Sequence, residues 1–213
     1  MKARPVLYVL AGTNGAGKSS IGGYRLEQAG LTWFNPDTFA RELMIDTGCD
    51  QTQANAIAWQ EGMRRLDEAI IQGTHYAFET TLGGRTVPAR IIEATKTHDV
   101  LVWFCGLSSP ELHIARVKAR VAVGGHDIPE AKIRERYSTA LENLIALMPH
   151  LDHLQVYDNS ADVGPGEAIS DPMLVAELEA GRLVSPRLDD VAALERTPYW
   201  AKPLLEAAFS VNV

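Results

Sequence analysis

The stretch Gly12-Thr13-Asn14-Gly15-Ala16-Gly17-Lys18-Ser19 satisfies G-x-x-x-x-G-K-[ST] without a gap. Its residue types suit one task. Glycines let the backbone turn with its N–H groups pointing inward, which makes a concave anion site. Lys18 can reach the β- and γ-phosphates of a nucleotide, and the Ser19 hydroxyl can ligate Mg²⁺. A helix opening at Ser19 and Ser20 aims the positive end of its dipole at the same phosphates. Residues 12–20 are therefore expected to bind ATP together with Mg²⁺.

Carboxylates follow two further apolar runs. Asn35-Pro36-Asp37 comes after "LTWF", and Glu79-Thr80-Thr81 comes after "HYAF". Residues just past the carboxyl ends of parallel strands line the ligand crevice of an open α/β sheet, so Asp37 and Glu79 should flank the phosphates held by Lys18. Asp37 is the candidate base that accepts a proton from an attacking alcohol. The plainer alternative is that it only N-caps a helix beginning at Thr38, and the two roles are compatible. Glu79 is a candidate for Mg²⁺ through water or for the acceptor substrate, and Thr80 and Thr81 are candidate hydroxyl donors to that substrate. All three also suit a plain strand-end turn.

Arginines cluster in "HIARVKARVAVGGHDIPEAKIRERY". His113, Arg116 and Arg120 fall at i, i+3 and i+7 and share one helical face. Gly124 and Gly125 break the helix, and Arg134 and Arg136 lie on the returning one. A helical hairpin with arginines on both arms can close over a triphosphate, because the guanidinium fork pairs phosphate oxygens bidentately. Arg120 and Arg134 are expected to face inward. His126, at the tip, is a candidate substrate contact or a loop-capping residue.

The elements that must hold these groups read as alternating strands and helices. Val6–Ala11 is a first strand and 19–28 a helix; 32–35 is a short second strand. The stretch 52–72 is a long helix, 75–79 a third strand, 87–96 a helix and 100–107 a strand apolar enough to be buried on both faces. Ser109-Pro110-Glu111 supplies an N-cap, a first-turn proline and an early acid for a helix running to about Val123. A helix from Pro129 and a strand at 154–158 follow. The expectation is one α/β domain over 1–213, a P-loop kinase-like parallel sheet of about five strands with helices on both faces. The lid hairpin would occupy about 110–148. The Gly- and Pro-rich 161–213 reads as a tail with a helical piece near 200–209.

Composition narrows the partners. The chain has 213 residues, 46% of them hydrophobic and 22% charged, which suits a full core. A net charge of −7 argues against general nucleic-acid binding, where phosphate neutralisation dominates affinity. Cys49 and Cys105 form no C-x-x-C pair, so neither a disulfide framework nor a zinc pattern is present; Cys105, in an apolar run, reads as a buried thiol. The short apolar N-terminal stretch ends in the glycine loop and reads as a buried strand rather than a signal peptide, and no run reaches the ~18 residues of a membrane helix. A cytoplasmic protein is expected. Asn-Lys-x-Asp is absent, which removes a GTPase, and so is L-S-G-G-Q, which removes an ABC-type ATPase.

Together, "GTNGAGKSS", "FNPD", "FETTL", "ARVKARVAVGGHDIPEAKIRERY" and "VYDNS" resemble the zeta-toxin family and its chromosomal relatives. The resemblance covers roughly 7–160, and the Gly-Gly-His-x-Ile-Pro stretch before Arg-x-Arg-Tyr is its most specific part. It implies a kinase that uses ATP and Mg²⁺ to phosphorylate a sugar hydroxyl of UDP-N-acetylglucosamine or a related nucleotide sugar. By position, Lys18 and Ser19 would serve phosphates and metal, Asp37 would be the base, and Glu79, Thr80 and Thr81 would hold the acceptor. Arg120 and Arg134 would stabilise the transferred group, and 156–160 would lie near the adenine. Toxin members are covered at the nucleotide site by a small antitoxin. The competing expectation is a nucleotide-dependent regulatory ATPase that acts through a protein partner.

Overall fold

A computed structural model describes residues 3–28, 30–161 and 171–211, and within them six strands form one sheet in the order β2-β1-β3-β4-β5-β6. The parallel part comprises β1 (Val6–Ala11), β2 (Tyr76–Thr80), β3 (Asp99–Gly106) and β4 (His153–Asp158). Alternate residues of β1 and β3 pack into different layers. Leu7, Val9, Val100, Val102 and Phe104 join the main core, whereas Tyr8, Leu10 and Trp103 face the opposite side. Burial on both faces explains why these strands read as continuous apolar runs.

The main core is covered by α3 (Gln51–Gln72), α4 (Thr86–Ala94), α6 (Glu130–Leu147) and α8 (Lys202–Val211), through residues such as Leu66, Ile91, Leu144 and Leu204. The other face is covered by a wide π-helical turn at Ser19–Gly23 and α1 (Tyr24–Gln28), where Leu26 packs on Leu10 and Ala77. Leu144 is fully buried, so truncation to alanine would cost about 2–5 kcal/mol. Helix α2 (Pro36–Thr47) lies beside α3, with Ala40, Ala54 and Ala58 in close contact between them. The second arm of the site is α5 (Pro110–Ala122), capped by the Ser109 side chain as its sequence requires.

Two sequence expectations change. Residues 32–35 do not form a strand: Phe34 alone bridges to Phe78, because Asn35 and Pro36 already turn the chain into α2. The presumed tail also carries β5 (Met173–Glu179) and β6 (Arg182–Ser185), an antiparallel hairpin that extends the sheet from β4, followed by α7 (Val191–Arg196) and α8. Trp200 returns to the parallel half. Its ring covers Gly106, where a Cβ would sit 2.3 Å from the indole, and its Nε1 donates to Asp158 Oδ1 at 2.9 Å. Among the described residues no helix is long and apolar enough to cross a membrane.

Candidate active site

Strands β1 and β3 are neighbours whose connections leave in different directions, which opens a crevice beyond their carboxyl ends. The loop of residues 12–18 fills it. Gly12 has φ +134°, and a Cβ there would lie 2.1 Å from the Cys105 carbonyl oxygen on β3, so this position admits only glycine. The loop is braced from two sides. Asn159 Nδ2, just past β4, donates to Ala16 O at 2.9 Å, and His113 Nδ1 on α5 lies 2.8 Å from Asn14 O. A carbonyl only accepts, so the His113 proton sits on Nδ1. Burial pushes this imidazole down to about 4; the Lys18 and Arg116 cations act in the same direction, against the bond to Asn14.

Lys18 is 6% exposed and Glu79 8% exposed, and they form a buried ion pair with Nζ 3.5 Å from Oε1. Lys18 Nζ also donates to Thr13 O at 3.4 Å. The second Glu79 oxygen accepts from Ser19 Oγ at 2.7 Å and from Asn35 Nδ2 at 3.0 Å. Each Glu79 oxygen thus has a partner, as a buried carboxylate requires. Asn35 had no assigned role in the sequence, yet it does two jobs here. Its amide joins Ser19 to Glu79, and its Oδ1 accepts from the Asp37 and Thr38 amides as the N-cap of α2. The capping role expected of Asp37 therefore belongs to Asn35, and the Asp37 carboxylate is left directed elsewhere.

It faces a cavity of about 500 Å³ bounded by α3, the end of β2, the hairpin tip and α6. Asp37, Glu79, Thr80, Thr81 and His126 all line it, with apolar walls from Phe34, Trp59, Met63 and Phe78. Thr80 Oγ1 and Thr81 Oγ1 accept from the amides of Leu82 and Gly83, which leaves each hydroxyl hydrogen able to donate. His126 Nε2 and Arg120 Nη1 each lie 3.8 Å from an Asp37 oxygen.

The hairpin of α5 and α6 closes this end of the molecule around its own small core of Ile114, Val117, Ile128 and Ile133. Of the two arginines on the returning arm, Arg136 enters the cavity, and Arg134 does not. Arg136 Nη1 donates to Asn14 Oδ1 at 2.7 Å, and burial lowers the guanidinium pKa from its ordinary value although Asp37 and Glu135 oppose this. Arg134 points outward and donates to Glu111 Oε1 at 2.6 Å; that bond raises its pKa. Residues two apart lie on different helix faces, so only one of them can face the cavity. Arg116 Nη2 reaches Ala161 O at 3.1 Å instead. The backbone of residue 20 continues the helical turn, but the Ser20 side chain lies outside the described residues.

The oxygen set around Ser19 and Glu79 fits a hard cation such as Mg²⁺, which takes one or two protein oxygens and completes its shell with phosphates and water. Among the described residues no group of three or more His, Cys, Asp or Glu gathers to hold a metal by itself.

Comparison with known proteins bears on the fold and the family. An uncharacterized protein of Haemophilus influenzae is 30% identical over 146 residues, covering 64% of this chain and 94% of that protein. Among solved structures, the AvrRxo1-ORF1:-ORF2 complex with ATP superposes with a TM-score of 0.68 at 16% identity, over 92% of this chain and 64% of that one. The chain thus spans less than two thirds of that neighbour. The PezAT chromosomal toxin–antitoxin system of Streptococcus pneumoniae gives a TM-score of 0.55 at 14% identity, over 99% of this chain and 85% of that one. At these identities the structural likeness speaks for the fold: a mostly parallel six-stranded α/β sheet of P-loop kinase type. The family model named "Zeta toxin" matches residues 1–163, which takes in every strand that ends at the cavity and stops before β5, and on that match the chain belongs to the zeta-toxin family.

Proposed function

We propose that the protein is an ATP- and Mg²⁺-dependent kinase that transfers the γ-phosphoryl group to a hydroxyl of a small molecule, with UDP-N-acetylglucosamine or a related nucleotide sugar as the favoured acceptor. Family membership supports ATP-dependent phosphotransfer. One observation carries the reading further: a carboxylate relieved of capping duty, Asp37, lines the same cavity as Glu79, which in turn binds Lys18 and Ser19 of the phosphate loop. In the reaction the acceptor oxygen forms a bond to the γ-phosphorus, the bond from that phosphorus to the bridging oxygen breaks, and the hydroxyl proton passes to Asp37. ADP leaves with the bonding electrons.

Lys18 would exchange Glu79 for phosphate oxygens when nucleotide binds. Ser19, with Glu79 close by, would hold Mg²⁺, which supplies charge neutralisation to the phosphates. Arg120 and Arg136 would meet the charge on the transferring group, Arg136 taking the place that the sequence suggested for Arg134. Thr80, Thr81 and His126 would hold the acceptor. An antitoxin protein over the nucleotide site belongs to the same reading, as does a cytoplasmic location; the PezAT neighbour comes from a toxin–antitoxin system.

The test is ATP-dependent mass gain of one phosphoryl group on UDP-N-acetylglucosamine and a panel of alcohols. Asp37→Asn should lower transfer by about 10²–10⁴-fold with ATP binding retained. Retention of most transfer in that variant would remove Asp37 as the base. Hydrolysis that no acceptor accelerates would point to the regulatory ATPase instead.

A further inference from the structure

The loop after β2 holds a strained residue. Leu82 is 1% exposed and has φ +53°, a left-handed conformation that leucine adopts only where its surroundings hold it there. Those surroundings are one face of α6. Asn143 Nδ2 donates to two carbonyls of the loop, Leu82 O at 2.6 Å and Gly84 O at 3.0 Å. Gly83 packs so tightly on Arg136 that a Cβ would lie 2.5 Å from its Cγ. Leu82 N in turn donates to Thr80 Oγ1, so the conformation at Leu82 bears on a hydroxyl of a residue that lines the cavity.

The same helix face grips the phosphate loop. Positions 136 and 143 are two turns apart on one side. Arg136 donates to Asn14 Oδ1, and its carbonyl accepts from Thr13 Oγ1 at 3.4 Å. Alongside these attachments Ala140, Leu144 and Leu147 are buried in the main core and fix α6 to it, while Ile133 anchors its first turn in the small core of the hairpin. Nucleotide loop and acceptor loop are thus fastened to a single packed helix, and they share Arg136.

We propose that Asn143 is a positioning residue that couples the two loops: order imposed on Thr13, Asn14 and Arg136 by nucleotide passes along α6 and steadies residues 80–85 for the acceptor. This deepens the kinase reading and rests on it for the identity of the second substrate, but the coupling itself needs only nucleotide. Asn143→Asp keeps the side-chain shape and removes both donated bonds.

Amide hydrogen exchange on the full chain, with and without a non-hydrolysable ATP analogue and Mg²⁺, reads the coupling. In the natural protein the analogue should slow exchange over both 12–20 and 80–85. In Asn143→Asp it should still protect 12–20, while the slowing over 80–85 falls by about fivefold or more, the range of coupling between two sites. A general loosening would raise exchange with and without nucleotide and leave that ratio unmoved. Equal nucleotide-dependent slowing over 80–85 in both proteins, or none in the natural protein, overturns the proposal. Should Asn143→Asp fail to fold, Asn143→Ser replaces it with the same two outcomes. In transfer to UDP-N-acetylglucosamine, KM for the acceptor should rise while KM for ATP holds. Absence of that transfer counts against the acceptor assignment, and the exchange result stands apart from it.

Discussion

The hairpin of α5 and α6 shows the same residue type in opposite circumstances on its two faces. On the outer face, Arg134 meets Glu111 and Lys118 meets Glu130, both at 2.6 Å, and each cation has a carboxylate of its own. On the inner face, Arg136 is held by the neutral oxygen of Asn14, and Arg120 has an Nε that is buried with no hydrogen-bond partner among the described residues. Asp37 is its nearest acid, at 3.8 Å. An arginine satisfied by a carboxylate has little to gain from a phosphate. One held in a partly dry cavity by weaker partners gains a great deal, because a buried charge without full pairing is costly until an anion arrives.

That contrast can be broken at several points. The largest effect is expected from Arg120→Ala and Arg136→Ala, each of which should lower kcat by about 10³-fold, the scale of arginine stabilisation in phosphoryl transfer. Arg134→Ala measured in the same assay should stay close to the natural rate. Equal losses at 134 and 136 would erase the distinction between the faces. Arg136→Lys sharpens it: a point charge remains but the fork is lost, so the rate should fall between those of the natural protein and Arg136→Ala.

A smaller effect concerns a charge that the inner face excludes. His113 is held neutral beside Lys18, with its pKa lowered from 6.5 to about 4. The unfolded chain therefore takes up the proton first as pH falls, and the stability that His113 contributes above its ordinary pKa is lost between about 6.5 and 4. Thermal melts across that interval should decline more steeply for the natural protein than for His113→Gln, which can still donate to Asn14 O but does not titrate. Parallel slopes would place the acid sensitivity elsewhere. The smallest effect belongs to the outer face: Glu111→Gln should leave the melting temperature nearly unchanged, and any loss should vanish in high salt, since exposed pairs contribute little.

Much of this was legible in the residues. The phosphate loop, the buried strands β1 and β3 and the Ser109 cap follow from local chemistry that tertiary structure leaves alone. The arginine choice failed for a traceable reason. The buried residues of α6 are Ile133, Ala140, Leu144 and Leu147, and Arg136 fits that face, three residues after Ile133 and four before Ala140, whereas Arg134 does not. A small alanine carried the signal. Asn35 was hidden because its partners Ser19 and Glu79 are distant in sequence. The hairpin of β5 and β6 was hidden because Met173 and Leu174 are exposed and its strand character comes from pairing with β4.

The late arrival of that hairpin has a bearing on biosynthesis. A ribosome releases the phosphate loop, Asp37, Glu79 and both inner arginines well before Met173, so every group of the proposed site exists while β4 still presents an open edge. Asp158 then waits for an indole more than forty positions downstream to reach it. A nascent chain of this protein carries the full motif set before Trp200 can close over Gly106 and bind Asp158, so the sheet that supports the site is completed last.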